Sequence, residues 1–130
     1  MDEKKRYDEG MKTRRAVLGD PHVDRTLKNR TKFNEPFQEL ITRYAWGEIW
    51  SRPGLPKKTR SLLTLGMLVA LNRSEEFRMH LKAALSIGVT REEIQELLLQ
   101  VAIYCGIPAA NAAFRAAEEV FATLDNKKRG

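Results

Sequence analysis

The sequence predicts an all-α fold, a single-domain bundle of six to seven helices. Apolar residues recur at spacings of three and four, as in Phe37, Leu40, Ile41 and Tyr44, the period of a helix with one buried face. Glycine, proline and capping residues fall between the periodic segments, where helices stop and start. No run alternates apolar and polar residues as a half-buried strand does.

Each element has its own signals. Residues 3–18 are polar and helix-compatible, weakened by Gly10, and Gly19 is placed to end them. Asp20 and Pro21 read as an N-cap and a first helical residue, opening a short helix to about Asn29. A third helix begins near Asn34 and stops at SRPGLP, residues 51–56. The fourth, residues 57–72, is apolar on all sides after Thr59 and reads as the buried central element. Asn72 or Ser74 caps a fifth helix, which Gly88 ends. TREE, residues 90–93, has the capping-box pattern and opens a sixth through Ile94, Leu97, Leu98 and Val101. Gly106 and Pro108 interrupt, and AANAAFRAAEEVFATL forms an alanine-rich seventh. Residues 125–130 read as a basic, solvated tail.

Composition narrows the function classes. With 130 residues, 42% apolar and 31% charged, the chain has the balance of a soluble globular protein able to bury a core without cross-links. Its one cysteine, Cys105, excludes an internal disulfide framework, and with two histidines it leaves no Cys/His zinc pattern. No metal site is expected. MDEKKRYDEG is too charged for a signal peptide, and the apolar run LLTLGMLVAL is about half a bilayer span, so a cytoplasmic protein without membrane contact is expected. The net charge of +6 comes from basic residues interleaved with acids, and no zinc-finger, RNA-recognition or P-loop signature accompanies it. That pattern favours steering of a small anionic substrate over nucleic-acid binding.

Three stretches carry a resemblance. HLKAALSIGVTREEIQELLLQVAIYCGIPAANAAF resembles the signature of the γ-carboxymuconolactone decarboxylases, and RYAWGEIWSRPGLPKKTRSLLTLGMLVALNRSEEF extends the match upstream. The opening MDEKKRYDEGMKTRRAVLGDPHVDR is also similar, so residues 1–124 are covered as one domain. The resemblance implies an alkylhydroperoxidase D-like fold, a homohexamer, and no cofactor. It implies decarboxylation of 4-carboxymuconolactone to 3-oxoadipate enol-lactone and CO2, in the protocatechuate branch of the β-ketoadipate pathway. A non-catalytic or redox-adaptor oligomer of the same superfamily is the alternative. The superfamily's peroxidase motif, C-x-x-C-x-x-x-H, laid on His80 puts Arg73 and Glu76 where the two thiols belong, which argues against dithiol chemistry.

The implied substrate is a dianion: a butenolide with a carboxylate and an acetate arm on its γ carbon. Its conjugated lactone is the electron sink, so the protein must grip anions, stabilise the lactone oxygen and deliver a proton to the α carbon. Arg73, Glu76 and His80, at i, i+3 and i+7, share one helix face, and His80 also falls in the core-directed stripe of Phe77, Leu81, Ala84 and Leu85. The resemblance favours His80 as proton donor, with Glu76 placed to orient the ring and raise its pKa, over a satisfied core histidine. A cation clamped on the departing carboxylate would stabilise the ground state most, so the arginines Arg73, Arg60 and Arg43 are better used on the acetate arm or the lactone oxygen. Each could instead form a surface or interface ion pair. Arg43, Trp46 and Trp50 share another face, suited to an anion pocket or a subunit contact. Tyr104 is a candidate pocket hydroxyl, Cys105 reads as packing, and His22 as exposed.

Overall fold

The computed structural model describes residues 2–129, with side chains through residue 128. Its helices are α1 (Glu3–Leu18), α2 (Asp20–Lys28), α3 (Glu35–Leu40), α4 (Lys57–Ala70), α5 (Ser74–Ser86), α6 (Arg91–Cys105) and α7 (Ile107–Arg129), and the described residues hold no strand. After α3 the chain continues directly into a π-helical segment, Ile41–Trp50. The elements group into two compact units, one ending at Lys57 and one beginning at Lys58.

In the first unit, α1 and the π segment touch backbone to backbone. A Cβ on Gly10 would lie 1.8 Å from the Thr42 carbonyl oxygen, and one on Gly47 would lie 2.4 Å from that of Arg6. Gly10, a weak helix former by propensity, is therefore what lets the helices meet. Polar groups line the seam. Arg6 pairs with Glu48 and Glu3. Ser51 Oγ donates to the Trp46 carbonyl, five residues back, at 2.7 Å and shares a hydrogen bond with Thr13. Arg14 is only 5% exposed and donates to Thr42 Oγ1 at 3.2 Å and Gln38 Oε1 at 3.1 Å. Burial lowers its pKa, partly offset by Tyr7. Trp46 and Trp50 are buried and stacked, with ring centroids 4.8 Å apart. Two sequence expectations change here. Gly19, not Asp20, is the N-cap of α2, because Asp20 is already helical and its carboxylate accepts from Arg15 at 2.9 Å. His22 is half-buried rather than exposed, and desolvation, with Arg25 and Arg14 nearby, lowers its pKa.

The second unit has its own core, in which Leu65, Leu81, Ile94 and Leu98 are fully enclosed. α4 is apolar on all sides but not buried on all sides as expected of a central element: Ser61, Leu65 and Val69 are buried at i, i+4 and i+8, while Leu63 and Met67 face outward. Asn72 ends α4 in the left-handed conformation, φ 59°, with Arg73 N–H bonded to Leu68 O and Asn72 N–H to Val69 O. These two bonds satisfy carbonyls the helix end would leave open. The cap of α5 is Arg73, which makes no side-chain capping bond, so neither Asn72 nor Ser74 fills that role. Gly88, at φ 101°, closes α5 in the same manner. Residues 125–129, read as a tail, continue α7: Arg91 grips Asp125 with two hydrogen bonds, at 2.7 and 3.2 Å, while its guanidinium lies over Phe121.

The capping box of α6 forms as expected, with Thr90 Oγ1 accepting from Glu93 N–H at 3.0 Å and Glu93 Oε1 accepting from Thr90 N–H at 2.9 Å. Thr90→Ala should cost about 1 kcal/mol in chemical denaturation, the usual effect of losing an N-cap. The Thr90 backbone N–H, aided by Lys58, holds the Glu93 carboxyl below its usual pKa. A lowered folded pKa means this contribution is present above the ordinary carboxylate range and is lost as pH falls through it.

Candidate functional site

α5 positions the central residues. Phe77, Leu81 and Ala84 anchor it in the core, leaving Glu76 exposed and His80 half-buried on the flank beside that stripe. Arg73 sits at the entrance of the helix, where the turn through Asn72 delivers it. Its side chain donates to Leu71 O at 3.0 Å and lines a small cavity of about 60 Å³. Leu68 and Val69 of α4, Phe77 of α5, and Ala109, Ala112, Ala113 and Ala116 of α7 complete the apolar wall. Arg73, Glu76 and His80 are thus brought to one end and flank of a single helix.

Arg60 belongs to α4, the helix that precedes α5. The turn at Asn72 folds α5 back along α4, and at the far end a Cβ on Gly88 would touch the Lys58 side chain at 3.9 Å. On this antiparallel pair a rise of 1.5 Å per residue puts His80 about 9 Å from the start of α5 and Arg60 about 15 Å from the end of α4. They therefore lie about 6 Å apart in axial level, with Arg73 near the top and Arg60 below His80. Arg60 is half-buried. Beside it, Ser61 Oγ is enclosed and has no hydrogen-bond partner. Sequence reasoning passed over Ser61; the signal was a polar residue four positions before Leu65 on the buried stripe.

Other candidates lie on other elements. Arg43 and Trp46 belong to the first unit, where Arg43 is within 3.3 Å of both Glu3 and Glu39 and Trp46 is packed on Trp50. That is the ion-pair reading for Arg43. Tyr104, on the last turn of α6, is 80% exposed, and the neighbouring Cys105 is an exposed free thiol. Among the described residues, no group of three or more His, Cys, Asp and Glu side chains is arranged to hold a metal ion. No helix among them is long and apolar enough to cross a membrane.

The arrangement offers two guanidinium groups and an imidazole along one helix pair, chemistry suited to gripping an anion and moving a proton. Comparison with known proteins places the chain in a family. A protein named 4-carboxymuconolactone decarboxylase from Acinetobacter baylyi is 52% identical over 124 residues, covering 95% of this chain and 92% of that protein. The nitrosuccinic acid decarboxylase of Metarhizium robertsii is 48% identical over 103 residues, 79% of this chain and 72% of the relative. A 4-carboxymuconolactone decarboxylase sequence from Pseudomonas putida is 65% identical over 48 residues, all of that sequence and 37% of this one. The model of the carboxymuconolactone decarboxylase family matches residues 35–119. With a half-identical relative along nearly its whole length and a family match across most of it, the chain belongs to the carboxymuconolactone decarboxylase family.

Proposed function

We propose that this protein is a carboxy-lyase that converts 4-carboxymuconolactone to 3-oxoadipate enol-lactone and CO2, in the cytoplasm, within the protocatechuate branch of the β-ketoadipate pathway. The observation that carries the reading is a half-buried His80 flanked along one helix pair by Arg73 and Arg60, in a chain 52% identical to a decarboxylase of that name.

In the reaction, the bond between the γ carbon and its carboxylate breaks. Its electron pair moves through the ring double bond onto the lactone oxygen, giving an extended enolate. Protonation at the α carbon re-forms the carbonyl and leaves the double bond between the β and γ carbons. Because the substrate contains its own electron sink, the protein needs only to bind, orient and protonate. Arg73 and Arg60 hold the acetate arm and the lactone end, where their charge does not favour the departing group. His80 gives the proton, and Glu76, one turn earlier, orients its ring. Tyr104 lines the approach to the site. Arg43 and Trp46 fix the helices of the first unit.

The fungal relative supports this division of labour. Nitrosuccinate and 4-carboxymuconolactone share one motif: a carbon carrying a carboxylate, a carboxymethyl group and an electron-accepting substituent. A site built to hold the carboxymethyl arm and receive charge on the acceptor serves both acids. The direct test is ultraviolet absorbance of purified protein with 4-carboxymuconolactone and no added cofactor, before and after dialysis against EDTA. Lactone consumption with CO2 release, equal in both samples, is expected; an inert protein, or loss of activity restored by one metal, would overturn the proposal.

The protein acts as a homo-oligomer, a hexamer by its resemblance. Ile103, Tyr104 and Ile107 are all more than two-thirds exposed, and Phe37, Leu40 and Ile49 about half exposed, an apolar surface that invites burial between copies. Light scattering at micromolar concentration should return a multiple of 14.9 kDa. A monomer mass would contradict it.

A further inference from the structure

We propose that Ser61 is a catalytic residue that donates a hydrogen bond to the lactone oxygen as the enolate forms, a role that rests on the decarboxylase reading above. The Ser61 side chain is 1% exposed, and its Oγ makes no hydrogen bond. A buried polar atom without a partner is rare in a folded chain and calls for an explanation. A hydroxyl inside a helix has an easy local outlet, the carbonyl four residues earlier. Thr64 uses it, donating to Arg60 O at 2.8 Å, and Thr42 does likewise to Gln38 O at 2.9 Å. Ser61 does not.

Stability gives no reason for a hydroxyl here. Alanine fits the same space, favours the helix and leaves nothing unsatisfied. Position supplies a reason. Ser61 belongs to the stripe with Leu65 and Val69, and Val69 meets Arg73 and Phe77 across the cavity at the top of the α4–α5 pair. Counting down from the turn, Ser61 lies about 14 Å along α4 and His80 about 9 Å along α5, within one helical turn of each other. Ala83, at the level of Ser61 on α5, is also buried. The unpaired hydroxyl, the imidazole and Arg60 therefore lie at similar levels along the two helices.

The chemistry favours a neutral donor at this point. As CO2 departs, negative charge leaves the carboxylate and collects on the lactone oxygen. A hydroxyl aimed at that oxygen binds the transition state more strongly than the ground state, and it does not hold the departing group. Ser61 keeps its proton throughout; the proton added to the α carbon comes from His80.

The test compares Ser61→Ala with the wild type in kcat, KM and melting temperature on the same preparations. The expected result is a fall in kcat of about 10²-fold, the range for losing one such donor, with KM little changed. The melting temperature should be equal or higher, because an unsatisfied buried group has been removed. Ser61→Cys, with similar volume and a weaker donor, should fall between the two in kcat. Wild-type kcat in Ser61→Ala would overturn the inference, as would a loss of activity that only follows a loss of folded protein. A wild-type enzyme inert toward the lactone would remove the decarboxylase reading and this role with it; an active wild type beside an equally active Ser61→Ala removes this role alone.

Discussion

His80→Ala should lower kcat by about 10²–10⁴-fold, the usual range for removing a positioned general acid, while KM changes little. In the proposed mechanism the anionic groups of the substrate are held by Arg73 and Arg60 and not by the imidazole. His80 is half-buried beside the Phe77–Leu81–Ala84 stripe rather than within it, so α5 keeps its anchors when the ring is removed. Glu76 is exposed, and the proposal gives it orientation only, so Glu76→Gln should cost less than His80→Ala. A purely structural histidine gives a different pattern: a lower melting temperature or a smaller oligomer, with normal turnover in whatever remains folded. Measuring kcat and thermal stability on the same variants separates the two.

Gly10→Ala should destabilise the protein by about 3 kcal/mol or more, lowering the melting temperature by roughly 10 °C. Helix propensity alone predicts the opposite sign, a gain of about 1 kcal/mol. Packing wins because the new methyl carbon would sit 1.8 Å from the Thr42 carbonyl oxygen and 2.9 Å from the Gly47 nitrogen, both backbone atoms that cannot swing aside. α1 would have to back away from the π segment, loosening the Arg14 bonds to Thr42 and Gln38. Gly54→Ala is the control: nothing lies within 4 Å of its added carbon, so its effect on thermal unfolding should be small.

These two residues show what was legible in the sequence. Several local signals hold where the physics is local, although the caps expected at Asp20 and at Asn72 or Ser74 do not. Thr90 and Glu93 cap α6 because both partners lie three residues apart, and Gly19 and Gly88 end their helices because a left-handed residue is required there. Features set by tertiary contact were not legible. Gly10 looked like a defect because its partner, the Thr42 carbonyl, is 32 positions away. The π geometry of Ile41–Trp50 leaves no mark in a residue pattern that also suits an ordinary helix. The last turn of α7 looked like a basic tail because the Arg91–Asp125 pair that ties it down spans 34 residues. For the candidate site, spacing along α5 was enough to bring Arg73, Glu76 and His80 together. Ser61 was hidden because its significance lies in an unmade hydrogen bond, which no sequence records.

The central claim is that the protein itself, through His80, delivers a proton to the α carbon after CO2 has left. Running the reaction in D2O, quenching within one turnover and locating deuterium in the enol-lactone by NMR tests it directly. The account predicts one deuterium at the α carbon, on one face only. Deuterium divided equally between the two faces would mean that solvent protonates a released enolate, and it would contradict the role assigned to His80.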